Sequence, residues 1–234
     1  MRFAISDGER VEATPGARGV CPGCGSELIA RCGERKVWHW AHKGRKHCDP
    51  WWENETEWHR AWKNNFPVEW QEIPARDGDG ELHIADIKTP KGLVVEFQHS
   101  YIKPEEARKR TEFHQPMFWV VDGTRRPTDP EQFAQAVEFG QTHRTPSGSV
   151  HQVRMEAARL LRDWSDLGII VVFDFGDQNV WVLRRVNWPW AYGFQYPKEK
   201  LVEHIREGSA IPDVLFGKPQ RQRYLIRRGR RSRY

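Results

Sequence analysis

The 234 residues carry 37 Lys and Arg against 32 Asp and Glu, a formal charge of +5, with 12 Trp and 11 Phe among 38% hydrophobic residues. That is enough chain, and enough large apolar side chains, for one medium domain with a core and a small appendage. With 29% charged residues and no apolar run near the ~18 residues that a membrane-spanning helix needs, the composition excludes a helical membrane protein.

The opening MRFAISDGER lacks the basic-then-apolar order of a signal peptide, so a cytoplasmic protein is expected. In that compartment four Cys more often mean metal than disulfide. Residues 1–20 read as a β-hairpin, Phe3–Ile5 turning at Asp7-Gly8 into Val11.

Residues 21–48 hold all four Cys and three His. CPGCG is a zinc-knuckle sequence, in which a tight turn lets Cys21 and Cys24 converge on one ion. Completion must come from Cys32, His39, His42, His47 and Cys48. The set Cys21, Cys24, His42 and Cys48 gives four tetrahedral ligands for a structural Zn²⁺, with His39 and His47 as spares. A thiol switch is the weaker reading, because no thioredoxin-like pattern surrounds the pair. Trp38 and Trp40, among Arg35, Lys36, Lys43, Arg45 and Lys46, either cover the zinc or stack on bases.

Trp51 to Phe66 reads as a helix with Trp58, Ala61, Trp62 and Phe66 on its apolar side, stopped by Pro67. Residues 68–73, 83–87 and 93–99 read as strands, 103–113 as a helix opened by Pro104, and 117–122 as a buried strand. This order indicates an α/β arrangement with a mixed sheet. A loop spans 124–149. Val153, Ala157, Leu160, Leu161 and Trp164 then mark a helix. Residues 168–175 and 180–186 read as a strand pair turning at Gly176-Asp177, and 197–207 as a last helix. Lys218 to Tyr234 carries eight Lys and Arg and no acid, which leaves the rest of the chain at −3. Such a run either neutralises phosphates or is a solubilising tail.

The stretch HIADIKTPKGLVVEFQHS carries the most chemistry. Asp86 closes one strand, Glu96 and Gln98 share a face of the next, and Lys91-Gly92 turns between them. Two carboxylates on one sheet edge can hold a hard cation such as Mg²⁺, which activates water against a phosphate. The plainer reading is a loop-starting Asp86 and a solvated Glu96. The apolar Leu93, Val94, Val95 and Phe97 around Glu96 weigh against it, since an unpaired buried carboxylate is costly.

CPGCG, HWAH with a following Cys, EWH, HIADI, EFQHS and an Arg-x-x-Phe come in this order over residues 1–123. Together they resemble the competence CoiA-like proteins, zinc-containing members of the PD-(D/E)XK nuclease superfamily. The resemblance implies a restriction-endonuclease-like mixed α/β sheet flanked by helices, with a small N-terminal zinc-binding module. It implies Asp86 and Glu96 as ligands of a catalytic Mg²⁺ or Mn²⁺. Gln98 stands where the superfamily more often has a Lys, and a Gln supplies no positive charge. Glu57 and His59 match the EWH element. Residues two apart on a helix point roughly 200° away from each other, so both cannot aim at one ion. Glu57 is taken as the accessory metal ligand and His59 as a phosphate-binding or supporting group. His99, Ser100 and Arg110 also match, Ser100 as a cap of the next helix and Arg110 toward a phosphate or Glu106.

The expected organisation is a zinc module over 1–50, a nuclease core over 51–135 and an α/β extension with the basic tail over 136–234. The expected activity is metal-dependent hydrolysis of DNA, tied to uptake, recombination or defence, with a recombination or defence protein as further partner. Two alternatives are an inactive nucleic-acid-binding module on the same fold, and a protein–protein adaptor using its many Trp.

Overall fold

The structure, a computed structural model, describes residues 1–44, 48–51, 53, 55–145 and 148–208. His47, Arg45, Lys46 and the basic run 218–234 lie outside the described residues. No helix among the described residues is long and apolar enough to cross a membrane.

Five short strands open the chain: β1 (Phe3–Ser6), β2 (Glu9–Glu12), β3 (Arg18–Val20), β4 (Glu27–Arg31) and β5 (His39–His42). They form one antiparallel sheet in the order β2-β1-β3-β4-β5. Its core is small, with Ala4, Leu28, Trp40 and Cys21 all buried. A sheet this short has little apolar area to offset its ordering entropy.

The second sheet has nine strands: β6 (Gln71–Arg76), β7 (Leu82–Lys88), β8 (Val94–Gln98), β9 (Met117–Asp122), β10 (Gln141–Thr145), β11 (Gly148–Arg154), β12 (Val171–Asp174), β13 (Asn179–Asn187) and β14 (Trp190–Pro197). Their order is β10-β11-β14-β13-β12-β9-β8-β7-β6. Adjacent β8, β9 and β12 are parallel and the other pairs antiparallel. Every residue of β8, β9 and β12 is buried, which is why they read as continuous apolar runs. Burying each such Val or Phe contributes about 1.5–3 kcal/mol.

Among the described residues five α-helices flank the sheets: α1 (Glu57–Lys63), α2 (Pro104–Phe113), α3 (Asp129–Glu138), α4 (Arg159–Trp164) and α5 (Lys198–Glu207). Trp62 of α1 stacks on Phe97 of β8. The Trp58 and Trp62 indoles both donate to Asp174 Oδ2, at 3.0 and 2.8 Å. One carboxylate thus pins α1 across the end of β12.

The helix expected from Trp51 is only seven residues long. Thr56 caps it through a reciprocal box: the His59 N–H donates to Thr56 Oγ1, and His59 Nδ1 accepts from the Thr56 N–H. Trp51 lies before that cap in a turn. The expected loop over 124–149 contains α3 and β10. Val153, read as helical, belongs to β11, because Val150 and Val153 are both buried and that spacing imitates a helix. β9 and β12 are neighbours, so chain on both sides of residue 136 shares one sheet and one core.

Candidate functional site

In the small sheet, Cys21 accepts the Gly25 N–H at 2.8 Å and donates its own to Ser26 at 2.8 Å, closing a knuckle that Gly25 completes at φ +73°. His39 and His42 are three apart on β5 and so leave opposite faces. His42 meets the thiols, while the His39 ring binds the Val37 carbonyl. The sulfurs of Cys21, Cys24 and Cys48 and a His42 nitrogen all lie within 4.8 Å of one another. Cys21 and Cys48 are 3.6 Å apart, and Cys24 is 3.3 Å from His42 Nε2. A tetrahedron with Zn–S near 2.3 Å has edges of roughly 3.8 Å, so the four fit a metal such as zinc. Cys32 stays outside the cluster.

Burial pushes the Cys24 thiol up, but hydrogen bonding to Ser26 and His42 outweighs it and holds the group at about 6. Burial and the neighbouring Cys21 push Cys48 far up. Thiolates crowded this way need a cation between them. Metal analysis is expected to find one zinc per chain. His42→Ala and Cys48→Ser lose it, and His39→Ala and Cys32→Ser keep it; equal retention by all four would sink this ligand set.

A cavity of about 80 Å³ adjoins the cluster, and His42 and Cys48 line it together with Asp86 and Glu96. Ladder pairs join β7 and β8 at Ile87–Val95 and Lys88–Val94. Beyond them the acids replace the ladder. The Asp86 N–H donates to Glu96 Oε1 at 3.2 Å, and the Phe97 N–H donates to Asp86 Oδ2 at 3.0 Å. Two carboxylates thus sit side by side where the strands part, as the Asp86 and Glu96 spacing suggested.

From α1, Lys63 reaches Asp86 Oδ1 at 2.8 Å, Glu72 at 3.3 Å and Glu55 at 3.5 Å. Lys63 is buried, yet these acids hold it well above its ordinary range against the burial that would lower it. Glu72 adopts φ +47°, an uncommon conformation for a side-chain-bearing residue. There its carboxylate takes the Arg2 and Phe3 N–H groups and ties the small sheet to the cavity. On the α2 side, Arg110 and His114 face Glu96 at 4.0 and 3.9 Å. Burial, then the charge of Asp86, raise Glu96 well above the usual carboxylate range. Burial followed by the charges of His83 and Arg110 lowers His114 to about 4.

Between Cys48 and α1, Asp49, Trp51 and Glu53 form a strap along the cavity. Asp49 accepts from the Ile84 N–H at 2.9 Å, and the Trp51 carbonyl accepts from Arg110. Glu53 accepts from Gln98 Nε2 at 2.6 Å and the Ser100 N–H at 2.7 Å. Glu53 and Glu55 both line the cavity.

The remaining expected residues divide. His59 lines the cavity; its Nδ1 accepts from the Thr56 N–H, which leaves the ring proton of the neutral form on Nε2, and burial lowers its pKa against the charge of Asp86. Glu57 does not reach the cavity. It is exposed beside Cys32–Trp38, because the first residue of a capped helix points away from the third. Gln98 turns to Glu53 and so stands one contact behind the acids. Ser100 does not cap α2, which begins at Pro104 without a side-chain cap. Arg110 pairs with Glu106. Lys63, Glu53 and Glu72 were not foreseen. The Glu55, His59, Lys63 spacing was the signal, but it reads equally as an ordinary charged face.

No curated protein and no solved structure matches the chain. A family model, Competence protein CoiA, N-terminal domain, matches residues 12–50. The match covers all four Cys and His42, and ends at Pro50, before the cavity-bearing sheet.

Proposed function

We propose that the chain is a metal-dependent nuclease hydrolysing phosphodiester bonds in DNA, on a restriction-endonuclease-like core, with a competence-related role. The observation that carries the reading is the Asp86–Glu96 pair at the parting of β7 and β8, facing a cavity that adjoins the zinc-fitting cluster. Among the described residues, six carboxyl groups line the cavity together with the cations Lys63 and Arg110. Asp86 keeps about 20% side-chain exposure, and each carboxylate oxygen has a second lone pair beyond the contacts described. The pair suits Mg²⁺ or Mn²⁺, which is commonly held by one or two carboxylates plus waters and phosphate oxygens. Such an ion supplies charge neutralisation at phosphorus and a more acidic water.

The chain's own residues supply the rest. Lys63 brings, from α1, the cation that Gln98 lacks. His59 presents an Nε2–H to the cavity, and Arg110 offers a fixed charge on the α2 side. Gln98 holds Glu53 beside the cavity. The match over residues 12–50 supports the competence-related role.

A second reading is a nucleic-acid-binding module that no longer cuts. It is favoured by Lys63, whose ammonium already balances Asp86. A cleavage panel of single- and double-stranded DNA and RNA with Mg²⁺ or Mn²⁺ separates the two. Metal-dependent cutting that Asp86→Asn abolishes supports the nuclease. Salt-sensitive binding without cutting, unchanged in Asp86→Asn, supports the second reading.

A further inference from the structure

The parallel strands β8, β9 and β12 all end on the side where His99, Asp122 and Asp174 stand, and ligands of such sheets gather beyond these carboxyl ends. Asp174 is consumed in holding Trp58, Trp62 and Lys198. His99 is arranged differently. Its Nδ1 lies 2.7 Å from Asp122 Oδ2. The other oxygen, Asp122 Oδ1, accepts the Thr124 N–H at 2.8 Å and its hydroxyl at 2.7 Å. Asp122 is buried, its side chain only 4% exposed, whereas the His99 side chain is 38% exposed. A carboxylate fixed by two donors and spending its remaining oxygen on one imidazole nitrogen sets that ring's tautomer and direction. Nε2 makes no hydrogen bond among the described residues.

This ring stands next to the acidic cavity, just outside its lining. β8 turns Phe97 and His99 toward α1, where the His99 ring lies 6.0 Å from that of His59, a cavity-lining residue, and 6.3 Å from that of Trp58. The next residue, Ser100, gives its N–H to Glu53, which lines the cavity. The charged or titratable groups around His99 are Asp122 from β9 and His59 from α1. Through Ser100, Glu53 of the strap and Arg125 of the loop before α3 also approach.

We propose that His99, oriented by Asp122, is a catalytic residue of this site and acts as the general acid for the leaving oxygen. The inference rests on the nuclease reading. In the step, the oxygen of one water bonds to phosphorus and the phosphorus–oxygen bond to the leaving sugar breaks. The Nε2 proton of the imidazolium passes to the leaving oxygen. The water's surplus proton goes to solvent, from which the imidazole is protonated again.

The test compares wild type, His99→Ala and Asp122→Asn on DNA and on a p-nitrophenyl ester of thymidine phosphate, whose leaving group needs no proton. On DNA, His99→Ala is expected to lower kcat about 10²- to 10⁴-fold. On the nitrophenyl ester the same variant stays within about fivefold of wild type, because general acid catalysis contributes little there. Asp122→Asn falls between the two while its melting temperature reports an intact fold. Equal losses of His99→Ala on both substrates, or undiminished cutting of DNA, overturn the role of His99 and leave the nuclease reading standing. A wild type that cuts neither substrate overturns both.

Discussion

Replacing Lys63 with Met is expected to lower the free energy of unfolding by about 3–5 kcal/mol at pH 7, the usual cost of removing one partner from a buried ion pair. Three carboxylates, Glu55, Glu72 and Asp86, surround one buried ammonium. Met restores much of the volume but none of the charge, so the acids are left facing one another in a poorly hydrated space. The pH dependence gives the effect a signature. Burial acts to raise Glu55, but Lys63 and Arg60 outweigh it and bring it from 4.5 to about 2; Lys63 likewise holds Asp86 and Glu72 down against burial. A lowered carboxylate stabilises the fold above its unfolded value and loses that contribution as pH falls through the folded value. For Glu55 the window runs from 4.5 down to about 2. Lys63 is raised, so its contribution is complete below 10.5 and disappears only as pH climbs through the higher folded value. Wild type therefore loses stability on acidification, whereas the Met variant, whose unpaired acids welcome protons, loses less. Urea melts at pH 7 and pH 3 measure both; a deficit of equal size at the two pH values would show that packing, not charge, is what Lys63 supplies.

The legible parts of the fold are those where one residue's type decides its surroundings. The apolar runs at 94–98, 117–122 and 171–174 announce buried strands, and all three lie side by side at the centre of the large sheet. CPGCG and Cys48 mark the metal-fitting cluster, while the choice of His42 over His39 needed the strand that puts them on opposite faces. β10 was hidden because its residues are all polar and almost all exposed, and β11 and β14 because theirs are mixed in polarity and buried at irregular intervals. Asp86 and Glu96 were visible as a pair because a tight turn at Lys91-Gly92 fixes their relation. Lys63, Glu72 and Asp122 were not, since each acts only through a partner far along the chain. Asp122 reads as the end of an apolar strand until parallel pairing of β8 with β9 brings it beside His99. Local spacing reports local geometry, and this cavity is assembled from residues as far apart in the chain as Met1 and His114.

Glu96→Gln should separate chemistry from stability in opposite directions. Under the proposed nuclease reading, loss of one of the two carboxylates that would hold the catalytic metal removes several kcal/mol of transition-state stabilisation, at least a fall of about 10³-fold in cleavage. The fold gains by the same change. Glu96 is buried with its side chain 5% exposed, and burial followed by the charge of Asp86 raises its pKa well above 4.5. A carboxyl raised in the folded state favours folding in acid, below 4.5, and loses that contribution as pH rises through the folded value. Above 4.5 the native protein therefore bears the cost of holding this carboxyl in its buried place, which Arg110, 4.0 Å away and already paired with Glu106, only partly offsets. Gln keeps an Oε1 for the Asp86 N–H and carries no charge. Each unit of raised pKa corresponds to about 1.4 kcal/mol, so the variant's melting temperature at pH 8 is expected to rise by at least about 2 °C. At pH 4, where the wild-type carboxyl is neutral, the difference shrinks. A variant that loses cleavage and melts lower at pH 8 would mark Glu96 as a structural acid. One that melts higher and still cuts would move the catalytic centre away from this pair.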